Sequence, residues 1–306
     1  MRNGLSADTL RALIIRPSAL GDTLLLTPAV HQIADKAELT LLGRRPGVDF
    51  LEPFLRNCLD YEKGGWHTLF LEEPNCKDIP FPEVDRVISF LSDPAGMVRK
   101  GLRKCLKDVP VFSFPPFPPQ EEKIHVALYL ASCLEKSGLP VNPEEAVEEA
   151  GRRPLLTEDR PSRSGRMVVM HPGSGSKRKN YPPRFWLDLI RGRDLEIFHT
   201  RVLLLGPAEE PWYQIFVKEL SGEEIEIVIS PDKHRLLSLL KEASLYLGHD
   251  SGITHLAGML GTPTIALFKN SCALQWAPLG PDVTVIAGAK PHEVIYKKIR
   301  EKSHKV

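Results

Sequence analysis

The stretch YLGHDSGITHLAGMLGTPTIALF, residues 246–268, decides the fold. Its two ends are short unbroken apolar runs, each about the length of a buried strand. Between them lie a tight turn at Asp250-Ser251-Gly252, a short helix and a Gly-Thr-Pro turn. The first four N–H groups of a helix have no partner inside it, so the turn and the helix start form a ready anion site. A small acidic residue, a hydroxyl and a glycine leave room for a phosphate to approach the backbone. The stretch therefore predicts a strand–helix–strand unit of an α/β sheet that handles a phosphorylated small molecule, a nucleotide first among them.

The same alternation continues outward. Upstream, strands are expected at 167–171, 202–206 and 225–230, with helices at 184–191, 209–220 and 232–243. These strands are apolar without alternation, so both faces of their sheet should be covered. The N-terminal half predicts strands at 10–16, 39–42, 84–91 and 109–114, and helices at 23–34, 96–106 and 120–137. Phe114-Pro-Pro-Phe-Pro-Pro119 cannot be helical and reads as a rigid extended turn. Residues 142–165 are charged, hold three prolines and lack an apolar period, and so read as the linker between two doubly wound domains. Ligands of such folds bind at the carboxyl ends of the strands.

Size and composition fit this reading. A chain of 306 residues suits two domains better than one core. Hydrophobic residues at 42% and charged residues at 26% form an ordinary globular balance. A formal net charge of +1 argues against a dedicated nucleic-acid binder. No window approaches the ~18 unbroken apolar residues of a membrane span. The apolar run 10–30 is broken by Arg16 and Asp22 and is neither a signal peptide nor an anchor. Cys58, Cys76, Cys105, Cys133 and Cys272 form no Cys-x-x-Cys pair. They suggest a reduced cytoplasmic protein with neither a zinc site nor a disulfide framework.

Four segments could carry chemistry. In Ser18-Ala-Leu-Gly21-Asp22-Thr23 a strand ends and a helix begins; on residue type alone Asp22 reads as an N-terminal cap. His171-Pro-Gly-Ser174-Gly-Ser-Lys-Arg-Lys179-Asn-Tyr-Pro182 is a donor-rich, basic loop after a strand and suits a diphosphate. It lacks the Gly-Lys-Ser/Thr of a P-loop and the third glycine of a dinucleotide fingerprint. In Leu205-Gly-Pro-Ala-Glu209, a strand-end carboxylate either accepts from a ribose diol or only favours the helix start. In the fourth, residues 246–268, His255 reads as a packed structural residue and is grouped with the donor loop of Asp250, Ser251 and Gly252. No Asp-x-Asp, Gly-x-Ser-x-Gly or His-Glu-x-x-His occurs.

Taken together, these four segments resemble, in order and spacing, the heptosyltransferases of glycosyltransferase family 9. The resemblance implies a GT-B fold, with two Rossmann-like doubly wound domains facing a central cleft. It implies an N-terminal acceptor domain over 1–150, a nucleotide-sugar donor domain over 151–290, and a last helix in 291–306 packing back on the first domain. It also implies inverting transfer of a heptose or similar sugar from an ADP-sugar to the inner core of lipopolysaccharide or a related glycan, without a metal or other cofactor. Asp22 then matches the general base, in place of a simple cap. Ser174 and Lys179 match contacts to the donor phosphate, Glu209 the ribose carboxylate, and Asp250, Ser251 and Gly252 the diphosphate loop. Tyr181 stands where the family has tryptophan.

Arg44 and Arg45 follow a predicted strand, and Arg99 and Arg103 lie with Lys100, Lys104 and Lys107 on one predicted helix. They are acceptor-site candidates, for the anionic groups of a lipid-linked glycan or for transient contact with the inner face of the cytoplasmic membrane; a solvated helix face is the plain alternative. Two further readings stay open: a nucleotide-sugar enzyme of other chemistry, such as a 2-epimerase, which would need additional acid and base carboxylates, and a nucleotide-sugar-binding protein without transfer, against which Asp22 speaks.

Overall fold

The computed structural model describes residues 9–157, 166–288 and 292–303. The chain divides into two compact units, Met1–Glu149 and Ala150–Val306. The first holds a parallel sheet of β1 (Leu10–Ile15), β2 (Ala37–Gly43), β3 (Asn57–Asp60), β4 (Arg86–Ser89) and β5 (Val111–Ser113), in the order β3-β2-β1-β4-β5. Around it are α1 (Leu20–Leu24), α2 (Thr27–Ile33), α3 (Met97–Cys105) and α4 (Val126–Lys136). Ala12, Leu13, Ile14 and Ile15 are all fully buried, so the central strand is covered on both faces, which its unbroken apolar run requires.

The helix expected over 23–34 is two helices. Pro28 sits in the first turn of α2, where its missing N–H costs nothing, and the chain bends just before it. Gly21 and Asp22, which precede the helix expected from residue 23, are already part of α1. The second expected helix of this half, 120–137, begins only at α4, because Lys123 takes a left-handed conformation with φ 50°.

Residues 143–152, read as linker, form α5 (Pro143–Arg152). Asn142 Oδ1 accepts from the Glu145 N–H at 3.1 Å, and Ala146 is fully buried. Charge concealed this helix. Residues 158–165 of the expected linker lie outside the described residues.

One cysteine expectation is overturned: Cys76 and Cys105 form a disulfide, with Cα atoms 5.1 Å apart. It ties the proline-rich segment around Pro74 to the last residue of α3. The 29-residue separation carries no local signature by which the pair could be read. Cys133 and Cys272 are free thiols. Among the described residues no helix is long and apolar enough to cross a membrane.

The second unit holds β6 (Met167–His171), β7 (Thr200–Leu205), β8 (Glu226–Ile229), β9 (Leu245–His249), β10 (Thr264–Phe268) and β11 (Val283–Ala287). All neighbours are parallel, in the order β11-β10-β9-β6-β7-β8. Its helices are α6 (Pro183–Ile190), α7 (Glu210–Glu219), α8 (Lys233–Glu242), α9 (Gly252–Met259), α10 (Ala273–Trp276) and α11 (His292–Ser303). Trp186, Phe216, Leu203, Leu247 and Ile265 build the core, and α11 adds Ile295 and Ile299 to it. Of the expected C-terminal segment 291–306, residues 291 and 304–306 lie outside the described residues.

Candidate active site

Both sheets reverse their winding direction once. In the first unit the chain runs outward from β1 through β2 to β3, then returns to β4 on the other side of β1. In the second it runs from β6 through β7 to β8, then returns to β9. A parallel sheet opens a crevice at the carboxyl ends of the strands flanking such a reversal. These two places hold most of the residues singled out in the sequence.

In the second unit, β9 ends at His249, and Asp250 donates its N–H to the Leu267 carbonyl at 3.1 Å. Ser251 is the N-cap of α9, its hydroxyl accepting from the Thr254 N–H at 3.4 Å. The Thr254 hydroxyl in turn donates to the His249 carbonyl. Gly252 opens α9. The turn expected as an anion site is observed as a capped helix start, with Ser251 tied at 3.3 Å to Nδ1 of His171 on β6.

Across the reversal, Lys179 Nζ donates to Asp250 Oδ2 at 2.6 Å. The carboxylate is 4% exposed and the lysine 35%, so the ammonium carries the pair's accessible face. A lysine held beside a helix start is suited to the charge of a leaving diphosphate. His255 is buried, its Nε2 3.9 Å from the other Asp250 oxygen. It packs beneath the loop and backs Asp250. Ser174 is also buried. Its hydroxyl lies 2.6 Å from Asn180 Oδ1 and 3.1 Å from the Ser176 carbonyl, and so braces the basic loop from inside.

Glu209 is 2% exposed. Its Oε2 accepts from the Gly206 N–H at 2.8 Å and lies 3.5 Å from Nε2 of His171. A Cβ built on Gly173 would fall 1.8 Å from this carboxylate, so only glycine permits the loop to lie over it. Gly173→Ala is expected to cost about 1–3 kcal/mol, as overpacking does. Chemical denaturation reads this, and parental stability would show that the loop does not pack on Glu209. Beside Glu209, at the ends of β7 and β8, is a recess of about 370 Å³ lined by Leu205, Gly206, Pro207, Glu210, Tyr213, Ile229 and Ser230.

Several contributors had no sequence signal of function. Lys269, just after β10, donates to the Asn180 carbonyl at 3.1 Å and lies 5.6 Å over the Tyr181 ring. Asn270 donates to the Arg178 carbonyl at 2.7 Å. Together they hold the basic loop from the β10 side. Tyr181 donates its N–H to Nε2 of His249 at 2.9 Å, so that nitrogen is unprotonated. Burial pushes the His249 imidazole down to about 3, and it stays neutral at working pH. The tyrosine that replaces the family's tryptophan is itself buried, stacked on Phe185 at 4.2 Å.

In the first unit, Asp22 is the third residue of α1, and Ala19 is the N-cap. The simple-cap reading therefore does not hold, although a carboxylate in a first helical turn remains favoured by the backbone dipoles. Arg44 and Arg45 follow β2, also at the carboxyl edge. They are half-exposed and ion-paired, Arg44 with Glu62 at 2.8 Å and Arg45 with Asp49. Arg99 lies on the rim of a cavity of about 450 Å³ at the ends of β4 and β5, lined also by Asp93, Gly96, Ser113 and Phe114. Arg103 lies one turn further along α3, exposed, and does not line that cavity. Among the described residues no group of three or more His, Cys, Asp or Glu side chains gathers as a metal site.

Two α/β units with parallel sheets, each with one winding reversal, are the architecture of the GT-B class of glycosyltransferase fold. The model of glycosyltransferase family 9 (heptosyltransferase) matches residues 112–304, and the chain belongs to that family. It is a glycosyltransferase. The family 9 glycosyltransferase of Veillonella parvula superposes with a TM-score of 0.72 at 16% identity, covering 99% of each chain. Escherichia coli heptosyltransferase WaaC with ADP superposes at 0.69 and 15% identity, covering 96% of this chain and 100% of that one. Lipopolysaccharide heptosyltransferase 1 of Campylobacter coli is 29% identical over 129 residues, 40% of this chain. That alignment spans 37% of the curated relative's own length.

Proposed function

We propose that this chain is an inverting, metal-independent heptosyltransferase. It moves a heptose, or a similar sugar, from an ADP-sugar to the inner core of lipopolysaccharide or a related lipid-linked glycan. The observation that carries the reading is the convergence of Lys179, Asp250, Ser251 and the start of α9 at one winding reversal. That arrangement suits a diphosphate, and family membership narrows the chemistry to glycosyl transfer.

In this reading the second unit, with its C-terminal helix, binds donor and the first binds acceptor. Asp22 takes the proton of the acceptor hydroxyl as it attacks the anomeric carbon. Charge develops on the departing ADP, and Lys179 with the N–H groups at Gly252 stabilises it. Asp250 and His255 hold Lys179 and the loop in place, and Ser174 keeps the basic loop folded. Glu209 faces the ribose, and the recess beside Tyr213 receives the base. Arg99 meets an anionic group of the acceptor, with Arg44, Arg45 and Arg103 as outlying cations. The enzyme works in the cytoplasm, in transient contact with the inner face of the cytoplasmic membrane.

Calorimetric titration with ADP, UDP and GDP tests the donor half of the proposal. ADP is expected to bind most tightly, with micromolar affinity on the order of 8 kcal/mol and no dependence on magnesium. A preference for UDP would redirect the reading toward another sugar or 2-epimerase chemistry. No binding of any of the three would favour a chain without transfer.

A further inference from the structure

Arg16, the residue after β1, is 1% exposed. Burial lowers its pKa to about 10, so at neutral pH a full positive charge is held inside the first unit. Its Nε donates to the Asp22 carbonyl at 3.1 Å and its Nη1 to the Pro116 carbonyl at 2.8 Å. The guanidinium carbon lies 5.4 Å from the ring centroids of both Phe90 and Phe117. Nη2 is buried with no hydrogen-bond partner. A brace for the turn would need the two hydrogen bonds only. A buried cation is costly unless its field acts on something.

The ionisable groups acting on Arg16 are Asp22 on α1, and Tyr129 and Cys133 on α4. Burial raises the Tyr129 phenol well above its usual range and pushes the Cys133 thiol up to about 11. Both are neutral at working pH. Phe90 and the 115–117 segment bring no charge. Asp22 is the one counter-charge in that set.

We infer that Arg16 is the positioning residue of Asp22: its Nε fixes the first turn of α1, and its buried charge holds the Asp22 carboxylate ionised and ready to accept a proton. As a statement about catalysis this rests on Asp22 being the base. The orphaned Nη2 fits a guanidinium placed for its field as much as for its hydrogen bonds. A carboxylate beside an arginine has its pKa lowered by about 1–3 units.

The test is a carboxyl carbon-13 titration of aspartate-labelled full-length protein, with the Asp22 signal assigned by its loss in Asp22→Asn. In Arg16→Gln the Asp22 midpoint is expected to rise by about one unit or more, while Arg16→Lys, which keeps the charge, stays close to the parent. A folded Arg16→Gln protein with an unmoved Asp22 midpoint overturns the inference. If Arg16→Gln does not fold, Asp22→Asn decides by reciprocity. Its melting temperature is expected to fall by about 5 °C or more, because a buried guanidinium loses its counter-charge. An unchanged or raised melting temperature overturns the inference. Neither readout needs turnover, so a wrong base assignment, which retained turnover of Asp22→Asn would expose, is told apart from a wrong role for Arg16.

Discussion

Asp22→Asn is expected to bind ADP-sugar as the parent does and to turn it over about 10²–10⁴-fold more slowly, the range that general-base catalysis supplies. The substitution keeps the shape of the side chain and its place in α1, where Ala19 and not Asp22 is the N-cap. It removes the capacity to take a proton, together with the charge that acts on Arg16. An interaction made in the transition state alone lowers kcat and kcat/KM together and leaves donor affinity unchanged. Steady-state kinetics with calorimetry of ADP binding separate the two quantities. Full activity in Asp22→Asn would move the base elsewhere.

Lys179→Gln is the second large effect. The lysine is the cation of the loop that bonds directly to Asp250, at 2.6 Å. Removing a donor aimed at developing charge costs about 10²–10³ in kcat, and donor affinity falls as well because the ground-state diphosphate is also charged. The loss has a structural component: Asp250, 4% exposed, is left as a buried carboxylate without its ammonium. Breaking one side of a buried pair is strongly destabilising, but Lys179 is 35% exposed, so solvent screens part of that penalty. Lys179→Gln with Asp250→Asn should therefore regain stability over the single variant while turnover stays low. Thermal melts read the first quantity and initial rates the second. Recovered turnover in the double variant would mean that Lys179 acts only by neutralising Asp250.

Much of this site was legible because the fold writes it locally. The turn at Asp250-Ser251-Gly252 is contiguous, its strand is an unbroken apolar run, and Ser251 caps the following helix as its residue type suggests. Lys179 and Asp250 are 71 residues apart, and only the order of strands brings them together. Lys269 and Asn270 were silent because nothing in their own segment says that the loop after β10 returns to the loop after β6. Arg16 was read as the end of a strand, and its charge as a mere interruption of an apolar run. Its burial is a tertiary fact, set by Phe90 and Phe117. The missed strands lie at sheet edges: β3 is a polar four-residue strand, and β11 buries only Ile286. Edge strands gain less from apolar patterning, so pattern reveals them poorly.

The Cys76–Cys105 bond shows the same limit from the other side. Cysteine spacing reports disulfides in small frameworks, whereas here the partners meet because a proline-rich segment turns back onto α3.

Transfer itself can be measured directly. Purified chain, ADP-heptose and a lipopolysaccharide core acceptor lacking heptose are incubated with chelator present, and the acceptor is followed by mass spectrometry. The expected result is a gain of one heptosyl residue with release of ADP, slowed at least about 10²-fold in Lys179→Gln and Asp22→Asn. An acceptor left unchanged with ADP-heptose but extended with a UDP-sugar would contradict it.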